Sequence, residues 1–387
     1  MTKGFLDGVT VLDLASVGPA ARASRWLADY GATVVKVGAV PSAGNVQIIP
    51  VFFAYSGHRG MRRALFDLKS ADGREAFLRL AEGADVLIES FRPGVMARLG
   101  VGYDDVKARN PGIVYCSTSG FGQDGPYSQW AGHDLNYLAI SGFLDVAEKA
   151  EGGKPPVPGT TVADSAAGGM HAVMSINAAL VQKQRTGEGA YLDVSVADGA
   201  LQLMSLHLED HLATGVTPGH RHTMTTGRYA CYDSYQASDG GWLTVAAIEA
   251  KFWANLCNLL GLPQWAKEQT NDELQDQIRA EVADAFRTKT RDEWTELLAP
   301  ADTCVAPVLT IAEVVDDPQL NARHAFVEAV HPTKGTFRQV APTLAGQVKE
   351  ERYVLRDGAE TDTDELLTLA GFSPDEITKL REAGAVS

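Results

Sequence analysis

The sequence predicts an α/β protein built as two domains, and three observations carry that prediction. Its 387 residues, 45% of them hydrophobic, exceed the length at which a single core usually stops growing. Short apolar runs alternate with helix-type segments as far as Ser117, the pattern of an open α/β sheet. Beyond Arg228 the pattern changes to a hairpin followed by helices, which marks a smaller α+β unit.

The elements follow in order. Val9 to Leu14 is a short apolar strand leading to Gly18-Pro19; Ala20 to Tyr30 is a helix stopped by Gly31; Thr33 to Val37 is the next strand. Asp72 to Ala81 is a helix, Asp85 to Glu89 a buried strand, Pro93 to Leu99 a helix started by its proline, and Ile113 to Ser117 a further strand. Open sheets of this kind bind ligands outside the carboxyl ends of their strands. Chemistry is therefore expected at Ser16 to Pro19, Ser90 to Gly94 and Thr118 to Gly125. None of these loops carries a GxGxxG or Walker pattern, which disfavours a nicotinamide or nucleoside triphosphate site.

Glu151 to Gly159 is rich in Gly and Pro and reads as an exposed connector delivering the chain to Asp164. Small and apolar residues from Ser165 to Gln184 predict one long buried helix with Asp164 as its N-cap. Strand Asp193 to Val196 and a helix from Gly199 to Ala213 precede a polar loop containing His220 and His222. Tyr229 to Tyr235 and Trp242 to Ala246 pair as a hairpin about Ser238 to Gly241, with helices from Phe252 to Leu260 and Asn271 to Arg287. The expected boundaries are 1–200 for the first part of the large domain, 201–227 for a linker, 228–325 for the small domain and 326–387 for a return to the large domain. Asp357 to Leu380 reads as a solvated acidic helical tail.

A formal charge of −15 argues against general affinity for nucleic acid or an anionic membrane, because the long-range field repels both. An anionic ligand needs a local basic pocket. Arg92 and Arg98, near a strand end and a helix start, and Lys69 after Leu65 to Leu68 are the candidates for phosphate contacts. Cys116, Cys231, Cys257 and Cys304 are too scattered for a metal site and read as reduced, mostly buried small hydrophobes. Met1 to Asp7 lacks the features of a signal peptide and no run approaches 18 apolar residues, so a soluble cytoplasmic protein without membrane insertion is expected.

The stretch from Ala131 to Tyr137 places an imidazole, His133, after a glycine and beside the carboxylate of Asp134. Taken singly, His133 is as readily a helix-cap or core histidine, Asp164 an N-cap, and Glu249 half of an ion pair. Together they offer acid/base chemistry, in which one group takes a proton and another returns one. An imidazole, titrating near neutrality, and a carboxylate can share that work, with backbone N–H groups of Ser165 and Ala166 as donors to a developing negative charge.

The run DVLIESFRPGVMARLG from Asp85 to Gly100, the loop from Ser119 to Tyr127 and the segment from Gly187 to Ser195 resemble the family III CoA-transferase and α-methylacyl-CoA racemase superfamily, over about Leu6 to Phe326. The resemblance implies an acyl-CoA enzyme with a Rossmann-like large domain and a smaller α+β domain, threaded through its partner as an interlocked homodimer. CoA then enters as part of the substrate, with no separate cofactor and no metal. Lys69, Ser90, Phe91, Arg92, Pro93, Arg98 and Tyr137 are the residues expected to hold its CoA moiety. In the racemase branch the aspartate matching Asp164 is one acid/base, the histidine of an AGHD-type segment, here His133, is the other, and a glutamate of an AIEP-type segment, here Glu249, bonds to that histidine. The alternative within the superfamily is CoA transfer between carboxylic acids through an aspartyl-CoA thioester at Asp164. A rival of another class is an acyl-CoA-binding protein without catalysis.

Three departures stand out. The proline of the AIEP pattern is Ala250 here. Gly38-Ala39-Val40-Pro41 stands where relatives usually have an acidic residue followed by Arg or Pro. Val46 to Ala54 is unusually apolar and reads as either a core strand or the lining of an acyl pocket. Val17-Gly18-Pro19 is racemase-like in lacking a preceding glutamine.

Overall fold

The computed structural model describes residues 4–15, 17–41, 59–147, 153–342, 345–346 and 349–387. The chain divides into two compact units: Met1–Ser141, Pro158–Met204 and Pro318–Ser387 form the first, and Gly142–Val157 with Ser205–Asp317 the second. Residues 142–157 and the expected linker from 205 onward thus belong to the second unit, and the return begins at Pro318 instead of 326. The apolar stretch from Val46 to Ala54 lies outside the described residues.

The first unit is organised by six parallel strands: β1 (Thr10–Asp13), β2 (Thr33–Ala39), β3 (Arg62–Phe66), β4 (Val86–Glu89), β5 (Val114–Ser119) and β6 (Ala190–Ser195). Their order, β3-β2-β1-β4-β5-β6, is that of the doubly wound dinucleotide-binding folds, with the reversal between β1 and β4. Because side chains alternate along a strand, each strand feeds two cores. Val11, Val86, Ile88, Val114 and Cys116 face the helices Gly18–Asp29 and His171–Thr186, which contribute Ala20, Leu27, Ala172 and Ile176. Leu12, Val35, Leu87 and Tyr115 face the other side, against Phe77 of the helix Ala71–Ala81.

That second face is completed by the region expected to be a solvated tail. Residues 363–387 form two helices, Thr363–Leu369 and Pro374–Glu382, whose Leu366, Leu367 and Ile377 are buried against Phe66 and Phe77. Val386 bridges to Phe66, and Asp67 N–H donates to the Ala385 carbonyl at 2.8 Å. The acidic residues that suggested solvation lie on the outward faces of helices whose apolar faces are core.

In the second unit, β7 (Tyr232–Gln236) and β8 (Trp242–Ala246) form the expected antiparallel hairpin, joined by β9 (Val305–Pro307) along β8. Gly240 takes φ +84° in the turn, a conformation glycine adopts without steric cost. Trp253, Leu256, Ile278, Val282, Phe286 and Trp294 fill the core behind the sheet. A third sheet, within the first unit, pairs β10 (Phe326–His331) with β11 (Gly335–Val340) antiparallel and with β12 (Arg352–Val354) parallel. Among the described residues, no helix is long and apolar enough to cross a membrane. Cys116, Cys231 and Cys257 are free and buried, while Cys304 is free and exposed.

Candidate functional site

Asp164 is not a helix N-cap. It lies in the first turn of a π-helical segment, Ala163–Met170, that runs directly into the α-helix His171–Thr186. Wide turns of this kind are uncommon and concentrate at functional sites. Small residues permit it. A methyl group on Gly168 would come within 2.5 Å of the Pro19 side chain, one on Gly169 within 2.9 Å of Trp26, and one on Gly199 within 2.1 Å of the Ala167 carbonyl oxygen. The segment is thus clasped between the helix after β1 and the helix Val196–Leu203 after β6.

Asp164 is fixed to the AGHD stretch by its backbone. Its N–H donates to Asp134 Oδ1 at 2.8 Å. Asp134 is buried and opens the helix Asp134–Ile140, for which His133 is the N-cap. The His133 N–H donates to Asn136 Oδ1 at 3.0 Å, and the residue is exposed. Tyr137 is buried one turn later, and its hydroxyl donates to the Gly132 carbonyl at 2.6 Å, bracing the backbone just ahead of His133. Its ring packs edge-on to Phe121. Methyl groups on Gly120 or Gly132 would collide with that ring, so both glycines are dictated by Tyr137.

The electrostatics tie His133 and Asp164 into one cluster. Burial raises the Asp164 carboxyl above its ordinary range, the Arg22 guanidinium opposes the rise, Asp134 adds to it, and His133 opposes it. Burial, with Asp164 and Asp134 nearby, pushes the Tyr137 phenol up to about 12, so it is a neutral hydroxyl at physiological pH. The Ser165 N–H, expected to face an enolate oxygen, instead donates to the Thr161 carbonyl at 3.1 Å, because the helical bonding begins before Asp164. Arg22, not anticipated from the sequence, stands 3.7 Å from Asp164 Oδ2.

Four of the residues expected to hold CoA lie just past the carboxyl ends of strands. Ser90, Phe91 and Arg92 follow β4 directly and are exposed; Lys69 follows β3 and is exposed. Three strand spacings, about 14 Å, separate β3 from β4. The helix expected from Pro93 is a single turn, Val95–Arg98, starting only after Gly94 turns the chain at φ +83°. Pro93 is therefore outside it, Arg98 ends it, and so short a helix supplies little dipole for an anion. Gly38 and Ala39 form the end of β2.

A carboxylate that sequence reasoning passed over underlies this loop. Glu89 is buried at the end of β4, where its Oε2 accepts the Phe91 N–H at 2.7 Å and its Oε1 accepts the Ser117 hydroxyl. Burial raises its carboxyl above the usual range, against the pull of those two bonds. The sequence signal was there: an acidic residue closing an otherwise apolar strand. Glu249 lies in the second unit, exposed, as the N-cap of the helix Ala250–Leu259.

Comparison with known proteins identifies the family. Residues 6–356 match the family model for CoA-transferase family III. The α-methylacyl-CoA racemase of Homo sapiens is 32% identical over 378 residues, covering 97% of this chain and 96% of the relative. An acetyl-CoA:oxalate CoA-transferase of Acetobacter aceti is also 32% identical, over 344 residues, covering 84% of this chain and 86% of the relative. Among solved structures, a CaiB/BaiF family protein from Brucella suis superposes with a TM-score of 0.75 at 27% identity, covering 90% of this chain and 95% of that one. The chain belongs to CoA-transferase family III, the CaiB/BaiF group of enzymes.

Proposed function

We propose that the protein epimerises the α-carbon of a 2-methylacyl-CoA thioester by 1,1-proton transfer through an enolate. The observation that carries this reading is the bond from Asp164 N–H to Asp134, which ties one acid/base group to the residue following the other, His133. The racemase relative, matched over nearly its whole length, supports it.

The chemistry balances without a co-reactant. The Asp164 carboxylate takes the α-proton, the C–H pair passes into the enolate, and imidazolium His133 delivers a proton to the opposite face as the C–H bond reforms. The enzyme is left with a protonated carboxyl and a neutral imidazole, which solvent exchange resets. In this reading Glu249 orients the His133 ring, and Lys69, Ser90, Phe91, Arg92, Pro93, Arg98 and Tyr137 engage the CoA moiety. CoA arrives as part of the substrate, and the working assembly is an interlocked homodimer.

Incubation with a single enantiomer of a 2-methylacyl-CoA in deuterated water tests the reading. The expected result is α-deuterium incorporation with loss of optical purity, both abolished in Asp164→Asn and reduced at least about 100-fold in His133→Ala. Retained protium and configuration would sink it. The acetyl-CoA:oxalate CoA-transferase relative favours a second reading, in which Asp164 is a nucleophile forming a mixed anhydride and then an aspartyl-CoA thioester. Hydroxylamine trapping of an Asp164 adduct, with full activity in His133→Ala, is its signature. Binding without exchange or transfer would leave the acyl-CoA-binding alternative.

A further inference from the structure

We propose that Arg22 is a positioning residue that clamps the π-helical segment and holds Asp164 as the resting carboxylate. This rests on the reading of Asp164 as a proton-handling group. Arg22 projects from the helix Gly18–Asp29, and its side chain is only 14% exposed. Its Nη2 donates to Thr161 Oγ1 at 2.7 Å, while its Nη1 stands 3.7 Å from Asp164 Oδ2. Thr161 and Asp164 lie on either side of the start of the π-helical segment, so one planar guanidinium spans its entry. The close seating of Gly168 on Pro19 and of Gly169 on Trp26 keeps that segment and the arginine's helix in register.

The charges facing Asp164 show what the arginine supplies. From the helix Gly18–Asp29 comes Arg22; from the turn and helix at 133–140 come His133, Asp134 and Tyr137. Asp134 is a like charge, Tyr137 is neutral, and the charge of an imidazole comes and goes with pH. Arg22 is the one member of this group whose positive charge is permanent. Without it, burial and the nearby charge of Asp134 both drive Asp164 toward the protonated form that cannot act as a base.

The test compares Arg22→Met, which keeps length without charge, with Arg22→Lys, which keeps charge. The Asp164 carboxyl is titrated directly by ¹³C NMR of aspartate-labelled full-length protein, its resonance assigned with Asp164→Asn. In parallel, kcat/KM for α-proton exchange is followed against pH. The expected result is a titration midpoint raised by about one pH unit or more in Arg22→Met, largely restored in Arg22→Lys, with the acidic limb of kcat/KM moving alike. A midpoint unmoved in folded Arg22→Met overturns the proposal, even where activity falls. Should Arg22→Met fail to fold, Thr161→Val decides, since it retains the arginine but removes one anchor: a raised midpoint supports the clamp and an unchanged one rejects it. If the wild type exchanges no α-proton while the midpoint still follows Arg22, the epimerase reading fails and the role of Arg22 stands. Exchange with an immobile midpoint does the opposite, sparing the epimerase reading and rejecting the role of Arg22.

Discussion

Asp134 accepts the backbone N–H of Asp164 across 30 residues of sequence, so the segment carrying His133 and the segment carrying Asp164 are joined by one partly buried hydrogen bond. Asp134 thereby does two things at once. It fixes the geometry of the cluster, and its charge raises the proton affinity of Asp164.

Asp134→Ala removes the acceptor and leaves the part-buried Asp164 N–H without it. A loss of about 1–3 kcal/mol in unfolding free energy is expected from denaturant melts. Asp134→Asn keeps an acceptor oxygen and is expected to lose less, while removing the like charge shifts the Asp164 titration midpoint downward.

Gly199→Ala is expected to destabilise by about 1–3 kcal/mol through overpacking. The added methyl would sit 2.1 Å from the Ala167 carbonyl oxygen, which is backbone and cannot swing aside. Relief requires moving the π-helical segment, so α-proton exchange should fall further than stability alone dictates. Thermal unfolding and exchange rates on the same preparation separate the two effects.

Glu89 gives a pH signature. Its folded-state proton affinity is raised, first by burial, so the folded protein holds this proton more tightly than the unfolded chain. Its contribution to stability is therefore fully present below the ordinary glutamate range and declines as pH rises from that range through the raised folded value. Glu89→Gln should flatten that part of the stability-against-pH curve in urea melts at stepped pH. An unchanged slope would count against the assignment.

Leu367→Ala tests the structural weight of the final helices. Leu367 is fully buried against Phe66 and Phe77, and the expected cost is about 2–5 kcal/mol in chemical denaturation. A solvated tail would give a change near zero.

Much of the sheet was legible because its signals are local. The apolar runs at Val9 to Leu14, Thr33 to Val37 and Asp85 to Glu89 are bounded by Gly, Pro or acidic residues, and β1, β2 and β4 fall there. The hairpin around Gly240 was equally local. What escaped depends on tertiary partners. Asp164 looked like an N-cap because a polar residue before an apolar helix normally is one; only the packing of Gly168, Gly169 and Gly199 reveals a wider turn that begins earlier. The acidic residues of 357–380 concealed the buried Leu366, Leu367 and Ile377, since charge density does not report which helix face is apolar. Arg22 and Glu89 were missed for a related reason: each acts through a residue remote in sequence, Thr161 for one and Ser117 for the other.

The closing of the first sheet by its last helices also bears on biosynthesis. Leu65 N–H bonds to the Thr363 hydroxyl, a partner 298 positions further along. At ~5–20 residues per second, a ribosome takes about 15–60 s to deliver that partner after β3 has emerged. Throughout that interval Phe66 and Phe77 lack Leu366, Leu367 and Ile377, so the nascent chain presents an apolar patch there that chaperones can bind.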